Sequence, residues 1–495
     1  MFKLEEVVQR SERFKDITKV NISYCLLKPF AKAHIYYDEK EGEIKYDLIE
    51  PKLDERLKEI IDRVFNGLLQ LVDISPKDIK SNEELIKFLE DKVKKLLEEY
   101  GYEISEKEYK VIMYYIYRDF AGLNEIEALM HDDYIEDINC NGVNINIYVK
   151  HRLFGNLETN IKFTDYDKLK NFVIKLAQRC KKYITYANPF LEGSLEDGSR
   201  VQGTISEEIS PRGPNFSIRK FRRIPFSPTE LIYLGSVSSE GLAYLWYLIE
   251  NQASILIIGG SGAGKTTFLN TLATFIPPRA KIVSIEDTRE IRLYHENWIA
   301  TVSRESVGGL HIGEVDLYKL LRESFRENPD YVIVGEVRGR ETYVMFQGIA
   351  SGHPTLSTFH SENLASVISR LKTPPINLPT SLIELLDVIV TLTKIEKGNK
   401  VVRKVLRIEE LLGIDPRTGR VNTNSILAWD GSRDVFNYNP ESRFIEKLSL
   451  MQGIKTEKIK KEILRRKKFL DKLVKKKIFD IELVQKEIEN YYNRL

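Results

Sequence analysis

The sequence predicts an α/β protein whose C-terminal half is built on a parallel β-sheet with helices on both faces. Three short, mainly apolar runs predict buried parallel strands: Ile255–Ile258, Ile282–Ile285 and Tyr331–Val334. Helix-like stretches separate these runs, as the crossover connections of a parallel sheet require. A Gly-rich segment directly follows the first run, where such a sheet binds ligands. An α+β domain and a helical extension are predicted to precede this sheet.

The composition is that of an ordinary globular chain, with room in 495 residues for roughly three domains of about 150 residues each. Hydrophobic residues at 42% and charged residues at 30% exclude the disordered and collagenous classes. The 75 basic and 73 acidic residues give a net charge of +2, so nucleic-acid binding would have to depend on local patches.

The cysteines and the apolar runs indicate a cytoplasmic protein. Cys25, Cys140 and Cys180 lack C-x-x-C spacing and cannot form a disulfide framework or a four-cysteine zinc site, which fits a reducing compartment. No run of about 18 uncharged apolar residues occurs, so we expect neither a signal peptide nor a membrane span. Work at a membrane would therefore require recruitment by a partner or a surface patch.

Changes of pattern along the chain predict five segments. They are an extension with a short β lead-in and a helical bundle (1–122), an α+β domain (123–224), a hinge linker containing Pro225 and Pro228 (225–229), the α/β domain (230–450) and a basic helical segment (451–495). Capping boxes at Ser81-x-x-Glu84 and Ser105-x-x-Glu108 predict the starts of two helices in the extension.

The last segment, from Met451 to Leu495, carries 14 Lys or Arg against 7 Asp or Glu, a surplus of 14 − 7 = +7. Apolar residues at helical spacing predict one or two amphipathic helices; they are Ile459, Ile463, Leu470, Leu473 and Val474. Two interpretations stay open: a solvated face on helices that pack against the α/β domain, or a contact with an anionic surface or partner.

The Gly-rich segment matches G-x-x-x-x-G-K-[ST]. It comprises Gly259, Gly260, Ser261, Gly262, Ala263, Gly264, Lys265 and Thr266, and a helix-like run begins at Thr267. Glycines let the backbone wrap closely, so that its N–H groups face phosphate oxygens at a helix N-terminus. Lys265 is expected to reach the β and γ phosphates and Thr266 to hold Mg²⁺. The sequence therefore predicts binding of ATP and Mg²⁺ at this loop.

Two further strands are predicted to end in carboxylates near this loop. Glu336 follows the run Tyr331–Val334, where a carboxylate can handle a metal-bound or attacking water. Glu286 follows Ile282–Ile285, and either a catalytic role or capping of the next segment explains an acid there. Two histidines, His353 and His360, flank a short apolar strand and are expected to sense the γ phosphate or a neighbouring subunit.

These motifs occur in a specific order. The order is the strand and P-loop, the acidic I-E-D segment, R-x-x-x-R-x-x-P-D before a strand ending in G-E-x-R, and then G-H…T-x-H. Together they resemble the type II/IV secretion and type IV pilus ATPase superfamily over about Ile135 to Leu412. The resemblance implies a RecA-like P-loop NTPase domain and a PAS-like N-terminal domain. The long N-terminal extension and the basic tail look most like the archaeal archaellum and pilus motors. The absence of a tetracysteine site supports the archaeal or the type IV secretion branch.

The resemblance also implies site residues. Lys265 and Thr266 correspond to the phosphate and Mg²⁺ residues and Glu336 to the Walker B glutamate, while Glu286 corresponds to the Asp-box acid. Which of the two glutamates is the general base stays open. The remaining counterparts are the His-box pair, His353 and His360, and the arginines before Walker B, Arg322 and Arg326. The family often has Asp after G-E-x-R, and Gly339 stands there instead.

The N-terminal domain is expected to bring arginines to the nucleotide. Arg200 and Arg219 lie in segments that resemble the family's arginine-bearing segments, and Arg212 is a further candidate. Arginines on a neighbouring domain can stabilise the transferring phosphoryl group only when the cleft closes, which couples chemistry to domain motion. The resemblance implies a homo-hexameric ring at the cytoplasmic face of the membrane, acting on a polytopic platform protein. Anionic lipid is a further candidate partner, and that candidate comes from the positive charge of residues 451–495.

The leading hypothesis is thus an ATP-driven motor for an archaellum, a pilus-like filament or secretion. A nucleic-acid-translocating or type IV secretion ATPase is the alternative, although nucleic-acid binding would need basic and aromatic residues interleaved along a channel. A P-loop kinase would need a lid and an acceptor pocket, and the paired acidic strand ends and the two histidines argue against it. Extension and retraction stay equally open.

Overall fold

The computed structural model describes residues 5–6, 17–71, 82–221, 225–304, 313–397, 400–415, 417–418 and 420–494. The chain divides into two compact units, Met1–Arg222 and Arg223–Leu495. Of the features predicted from the sequence, the capping residue Ser81 and residues 222–224 before the linker lie outside the described residues.

The first unit is built on one mixed sheet with helices. Its strands are β1 (Glu5–Glu6), β2 (Asn21–Lys28), β3 (Ala31–Asp38), β4 (Glu43–Ile49), β5 (Ile135–Cys140), β6 (Asn146–His151), β7 (Gly155–Lys162), β8 (Phe190–Ser194), β9 (Arg200–Thr204) and β10 (Asn215–Arg219). Its helices are α1 (Glu55–Leu71), α2 (Asn82–Glu99), α3 (Glu106–Ile116), α4 (Glu127–Met130) and α5 (Tyr166–Arg179). The described strands lie in the order β1-β2-β3-β4-β7-β6-β5-β10-β9-β8.

The β lead-in and the α+β segment share this sheet. β4 pairs in parallel with β7, with Lys45 opposite Glu158. A single apolar core extends along the chain from Val20 to Ile218. The pairing joins residues more than 100 positions apart. The boundary predicted near residue 122 therefore separates two types of element within one unit, and not two domains.

The capping box at Ser105 is confirmed. The Ser105 hydroxyl accepts the N–H of Glu108, and the Glu108 carboxylate accepts the N–H of Ser105 at 2.8 Å. These two bonds satisfy N–H groups that the first turn of α3 leaves without helical partners.

The second unit contains the remaining elements. Its helices are α6 (Pro228–Tyr233), α7 (Ser239–Glu250), α8 (Lys265–Ala273), α9 (Leu317–Ser324), α10 (Glu341–Ala350), α11 (Leu364–Lys372), α12 (Thr380–Ile383), α13 (Arg443–Gln452), α14 (Thr456–Lys475) and α15 (Ile481–Tyr492). Its strands are β11 (Ile255–Gly259), β12 (Ile282–Glu286), β13 (Trp298–Val302), β14 (Tyr331–Val337), β15 (Thr355–His360), β16 (Val388–Lys397), β17 (Lys400–Ile414), β18 (Val421–Asp430) and β19 (Val435–Tyr438).

The strand order of the second unit confirms the RecA-like α/β fold. The described strands run β13-β12-β14-β15-β11-β16-β17-β18-β19, and the first six of these are parallel. The first strand, β11, is separated from the next along the chain, β12, by β14 and β15. Parallel strands buried on both faces explain why their residues are mainly apolar. Because the strands are parallel, their carboxyl ends meet at one edge of the sheet.

The C-terminal helices are part of the second unit's core. α14 packs against α7, and the apolar residues on its inner face are buried; they are Ile459, Ile463, Leu470 and Leu473. Arg466, only 1% exposed, lies among them, bonds to Glu250 and stacks 5.0 Å over the Trp246 ring. The outer face of α14 is basic and exposed; it consists of Lys458, Lys461, Arg465, Lys468, Lys472 and Lys475. The packed-helix interpretation of the tail therefore holds, with a cationic face turned to solvent.

Within the described residues, every helix is too short or too polar to cross a lipid bilayer.

Candidate active site

The Gly-rich segment forms a tight loop between β11 and α8. Gly262 and Gly264 have φ values of 69° and 92°, in the left-handed region that favours glycine. At Gly259, a Cβ atom would lie 2.8 Å from the carbonyl oxygen of Leu392 on β16, so only glycine allows the strands to approach this closely. The residues predicted to bind nucleotide, Gly259 to Thr267, thus form one continuous loop and helix start.

This loop fits an anionic ligand. α8 begins at Lys265 without a side-chain cap and with no acidic residue in its first turn. The positive end of the helix dipole therefore meets no acidic side chain of that turn. The Lys265 ammonium donates to the carbonyl oxygens of Gly259 and Gly260 at 3.0 and 3.1 Å. A phosphate group at the loop would attract this ammonium away from its own main chain.

Glu336 lies at the carboxyl end of β14 and is held by an arginine. Its side chain is 28% exposed, and its Oε2 accepts from Nη2 of Arg338 at 2.7 Å. Partial burial opposes ionisation, but the hydrogen bond and charge of Arg338, with the charges of Lys265 and His360, lower the pKa of Glu336. The carboxylate is therefore ionised at neutral pH and lies in the electrostatic field of the phosphate-loop lysine.

Glu286, the last residue of β12, has a different environment. It is 2% exposed, and its Oε1 accepts the N–H groups of Glu290 and Ile291, both at 2.7 Å. Its Oε2 has no hydrogen-bond partner among the described residues. Burial raises the pKa of Glu286 to about 7, against the opposing effect of the two N–H groups. The side chain packs against the backbone of Gly335 and closes the turn after β12.

The two histidines lie at opposite ends of β15. His360 is its last residue, at the same edge as the phosphate loop. His353 precedes the strand, seven residues away, which is roughly 20 Å at about 3.3 Å per residue. The His353 ring contacts the ring of Phe325, with centroids 5.0 Å apart. Of these two histidines, His360 lies at the edge of the loop and His353 at the opposite edge, so a γ-phosphate sensor stays a prediction for His360 alone of the pair.

The two arginines before β14 lie about one helical turn apart and make different contacts. The guanidinium of Arg322 lies 5.9 Å from the centre of the Tyr318 ring, which Arg340 also contacts from the loop after β14. Arg326 pairs with Glu323 at 3.0 Å and is 70% exposed. Arg326 lies just before the amino end of β14, at the edge of the sheet away from the phosphate loop.

The candidate arginines of the first unit fall into a pair and a single residue. Arg200 on β9 and Arg219 on β10 are directly opposite each other in the antiparallel ladder. Arg212 is exposed in the loop before β10, where its carbonyl oxygen accepts the N–H of Val143. The length of β10 therefore separates Arg212 from the other two.

Sequence reasoning missed two side chains near the carboxyl edge of the parallel sheet, where the phosphate loop lies. Arg338 belongs to the G-E-x-R motif, and its spacing two residues after Glu336 could have indicated the ion pair. Arg403, on β17, donates from Nε to the carbonyl oxygen of Gly262 at 2.8 Å. This contact joins residues 141 positions apart, and no local pattern announces it.

A family model for type II/IV secretion system proteins matches residues 122–408, more than half of the chain. The chain belongs to this family. A relative from an archaeon, the uncharacterized protein MJ0900 of Methanocaldococcus jannaschii, is 35% identical over 99% of this chain and 92% of the relative. This agrees with the archaeal branch that the motifs indicate. The protein VirB11 of Agrobacterium fabrum is 30% identical over 40% of this chain and 64% of its own length.

A solved structure of an ATPase is also similar to this chain. The ATPase DotB of Yersinia pseudotuberculosis is 15% identical, covers 60% of this chain and 78% of its own, and gives a TM-score of 0.43.

Proposed function

We propose that this chain is an ATP-hydrolysing motor that drives assembly of an archaellum or pilus-like filament, or secretion, through a membrane platform protein. The observation that carries the proposal is the convergence of Lys265, Glu336 and His360 at one edge of a RecA-like sheet. Membership of the type II/IV secretion family supports the class of motor. The filament or secretion role rests on the motif resemblance.

ATP binds at the phosphate loop in this proposal. Lys265 moves from the carbonyl oxygens of its own loop to the β and γ phosphates, while main-chain N–H groups at the start of α8 hold phosphate oxygens. The hydroxyl of Thr266 would hold Mg²⁺, and the carboxylate of Glu336 would interact with the ion through water. When bound, Mg²⁺ neutralises charge on the phosphates. The described residues contain no cluster of three His, Cys, Asp or Glu side chains that could hold a metal ion.

We assign the general base to Glu336. A base must be ionised and reachable by the attacking water. The lowered pKa and partial exposure of Glu336 meet both conditions. Glu286 is buried, half protonated near neutral pH and already bonded to two main-chain N–H groups. Because Glu286 packs against Gly335, we assign it a structural role: it stabilises β14, the strand that carries Glu336.

Subunit contacts complete the site in the proposed homo-hexameric ring. Arg200 and Arg219 stabilise the transferring phosphoryl group when the first unit closes on a nucleotide. The hinge is the predicted linker 225–229, of which only 225–227 precede the start of α6 at Pro228. The exposed Arg326, and His353 at the far edge of the sheet, suit contacts with a neighbouring subunit.

The motor acts at the cytoplasmic face of the membrane in this proposal. The platform protein supplies the main attachment, and anionic lipid adds to it through the exposed cations of α14. The platform protein is proposed from the motif resemblance, and anionic lipid is proposed from the positive charge of the C-terminal segment.

The decisive test is ATP turnover and nucleotide binding by Lys265→Ala. Turnover is expected to disappear while the thermal unfolding temperature stays close to wild type, because Lys265 is a partly exposed residue at the start of α8. Arg279→Ala, at an exposed cation of the same unit, is the matched control and should keep full activity. Turnover near wild type in Lys265→Ala would contradict the proposal. Stimulation by single-stranded DNA, without stimulation by vesicles, would favour the nucleic-acid-translocating alternative.

A further inference from the structure

The hairpin of β16 and β17 extends beyond the phosphate loop and carries two cations to it. β16 pairs in parallel with β11, and Leu392 is opposite Gly259, the last residue of β11. Two residues further on, Lys394 pairs with Arg403 across the hairpin. Since side chains alternate along a strand, Lys394 and Arg403 share a face with Leu392.

Both side chains reach the glycines that shape the loop. Nε of Arg403 donates to the carbonyl oxygen of Gly262 at 2.8 Å, and its Cδ lies 3.5 Å from the Cβ position at Gly264. The Cδ of Lys394 lies 3.9 Å from the Cβ position at Gly262. The aliphatic parts of the two cations therefore pack against the two left-handed residues of the loop.

We infer that Arg403 is a positioning residue that holds the phosphate loop in its ligand-binding conformation by bonding to the carbonyl oxygen of Gly262. The inference rests on the proposed function, since it concerns the same nucleotide site. The carbonyl and the following N–H of a planar trans peptide point in opposite directions. By holding the Gly262 carbonyl on the hairpin side, Arg403 directs the N–H of Ala263 to the other side. There the Ala263 nitrogen donates to the carbonyl oxygen of Gly260 at 3.3 Å.

Arg403 and Lys265 act on different loop carbonyls. Lys265 bonds to the oxygens of Gly259 and Gly260 and must leave them to reach a phosphate. Arg403 bonds to Gly262 from outside the loop, so its bond can persist when nucleotide binds. It keeps one carbonyl dipole turned away from an incoming anion, which lowers the reorganisation needed for binding. Its effect therefore falls on nucleotide affinity more than on the chemical step.

The experiment compares four full-length chains: wild type, Arg403→Ala, Arg403→Lys and Arg407→Ala. Arg407 is the matched control because it lies on the same strand, is 57% exposed, and is separated from Arg403 by a shift in the pairing of β16 and β17. The readouts are the Kd for a fluorescent ADP analogue with Mg²⁺, kcat and KM for ATP, and the thermal unfolding temperature. Hydrogen exchange of the peptide covering residues 259–267, without nucleotide, reports on the loop itself.

For Arg403→Ala we expect about tenfold weaker affinity and higher KM, as for loss of one hydrogen bond to a charged group, and kcat within about threefold of wild type. Exchange in residues 259–267 should be faster at an unchanged unfolding temperature. Arg403→Lys should regain part of the affinity, because an ammonium can still donate to the Gly262 carbonyl, and it serves if the Ala variant does not fold. Arg407→Ala should match wild type.

Affinity within twofold of wild type in Arg403→Ala would overturn the inference, as would an equal loss in Arg407→Ala. Loss of kcat at unchanged KM would also overturn it. Failure of wild type itself to bind nucleotide would instead remove the proposed function, so the two failures are distinguishable.

Discussion

Arg200 and Arg219 lie directly opposite one another on the antiparallel strands β9 and β10. Side chains in this relation share a face of the sheet, and like charges there are destabilising. On its other side Arg219 is opposite Asp137 of β5, whose carboxylate lies 3.3 Å from the Lys150 ammonium. Lys150 also lies 3.5 Å from the carboxylate of Glu136, so acidic side chains partly neutralise the cations of this row.

The first prediction is that Arg219→Ala lowers turnover more than nucleotide affinity. If Arg219 contacts the phosphoryl group mainly in the transition state, kcat falls while Kd for ATP changes by a few-fold. Removing one of two opposed cations should leave the unfolding temperature unchanged or raise it slightly. Arg200→Ala should behave in the same way, and Arg212→Ala, at the far end of β10, is the control.

Mixed rings test whether the arginine acts between subunits. Combining Arg219→Ala with Lys265→Ala chains creates some interfaces with both an intact lysine and an intact arginine. Activity above that of either variant alone is expected if Arg219 serves a neighbour's nucleotide. Mixed rings that form without any gain would mean that Arg219 acts within its own chain or has no catalytic role.

The second prediction concerns Glu336→Gln. Nucleotide binding should persist, because the amide is the same size, while turnover falls by at least ~100-fold through loss of the base. Glu457→Gln, at an exposed acid on α14, should leave both quantities unchanged. Turnover close to wild type with weakened binding would contradict the assignment of Glu336 as general base.

The third prediction is a shift of the pH profile in Arg338→Ala. Arg338 is the main group that lowers the pKa of Glu336, so its removal raises that pKa. A base that must be ionised then loses its proton only at higher pH, and the acidic limb of kcat/KM moves to higher pH. Arg338→Lys retains the charge and should shift the limb less. An unmoved limb in Arg338→Ala would show that another group controls it.

The fourth prediction is that Glu286 makes stability fall as pH rises. Its pKa in the folded protein is about 7, above the ordinary value near 4.3. Between these values the folded protein binds more protons than the unfolded chain, so the free energy of unfolding decreases with rising pH and levels off above pH 7. At about 1.4 kcal/mol per pKa unit the full effect is about 4 kcal/mol.

Urea unfolding of Glu286→Gln checks this sign. The amide keeps an oxygen acceptor for the N–H groups of Glu290 and Ile291 but cannot ionise. The variant should therefore exceed wild type in stability by more at pH 8 than at pH 5. Asp287→Asn, at the exposed neighbouring residue, should show no such difference. Parallel pH curves for wild type and Glu286→Gln would contradict the raised pKa.

Local patterns in the sequence predicted the strands and the loop at the carboxyl edge of the parallel sheet. Gly262 and Lys265 stand in a motif whose spacing is set by the phosphate loop, and Glu336 follows an apolar strand that must be buried in a parallel sheet. Long-range pairing escaped the same reasoning. β4 joins β7 across more than 100 residues, and Arg403 reaches Gly262 across 141 residues.

The separation of His353 from His360 shows a second limit of sequence reasoning. Two histidines that flank a short strand look adjacent in the sequence. The extended backbone instead carries them to opposite edges of the sheet, since each residue adds about 3.3 Å. Arg326 precedes the amino end of β14 and therefore lies at the same edge of the sheet as His353. If the direction of each strand had been considered first, His360 would have been assigned to the carboxyl edge of the sheet, and His353 and Arg326 to the amino edge.

The fifth prediction concerns the C-terminal helices and distinguishes their structural role from contact with lipid. Deleting Ile454 to Leu495 should unfold or aggregate the second unit, because α14 and α15 supply buried side chains around Trp246, whose indole N–H donates to the Tyr492 hydroxyl at 2.9 Å. Deletion therefore cannot test lipid binding. Reversing exposed charges with Lys461→Glu, Lys468→Glu and Lys472→Glu leaves the inner face of α14 intact.

Cosedimentation with phosphatidylglycerol vesicles measures the outer face of α14. At about 1 kcal/mol per cation near an anionic surface, the triple variant should bind at least ~100-fold more weakly than wild type. Moderate salt should weaken wild-type binding in the same direction, since it shortens the range of the attraction. The control reverses Lys87, Lys94 and Lys95 on α2, which gives the same net charge on another helix. An equal loss in both triple variants would show that only net charge matters, and unchanged binding in the α14 variant would show that its cations do not contact lipid.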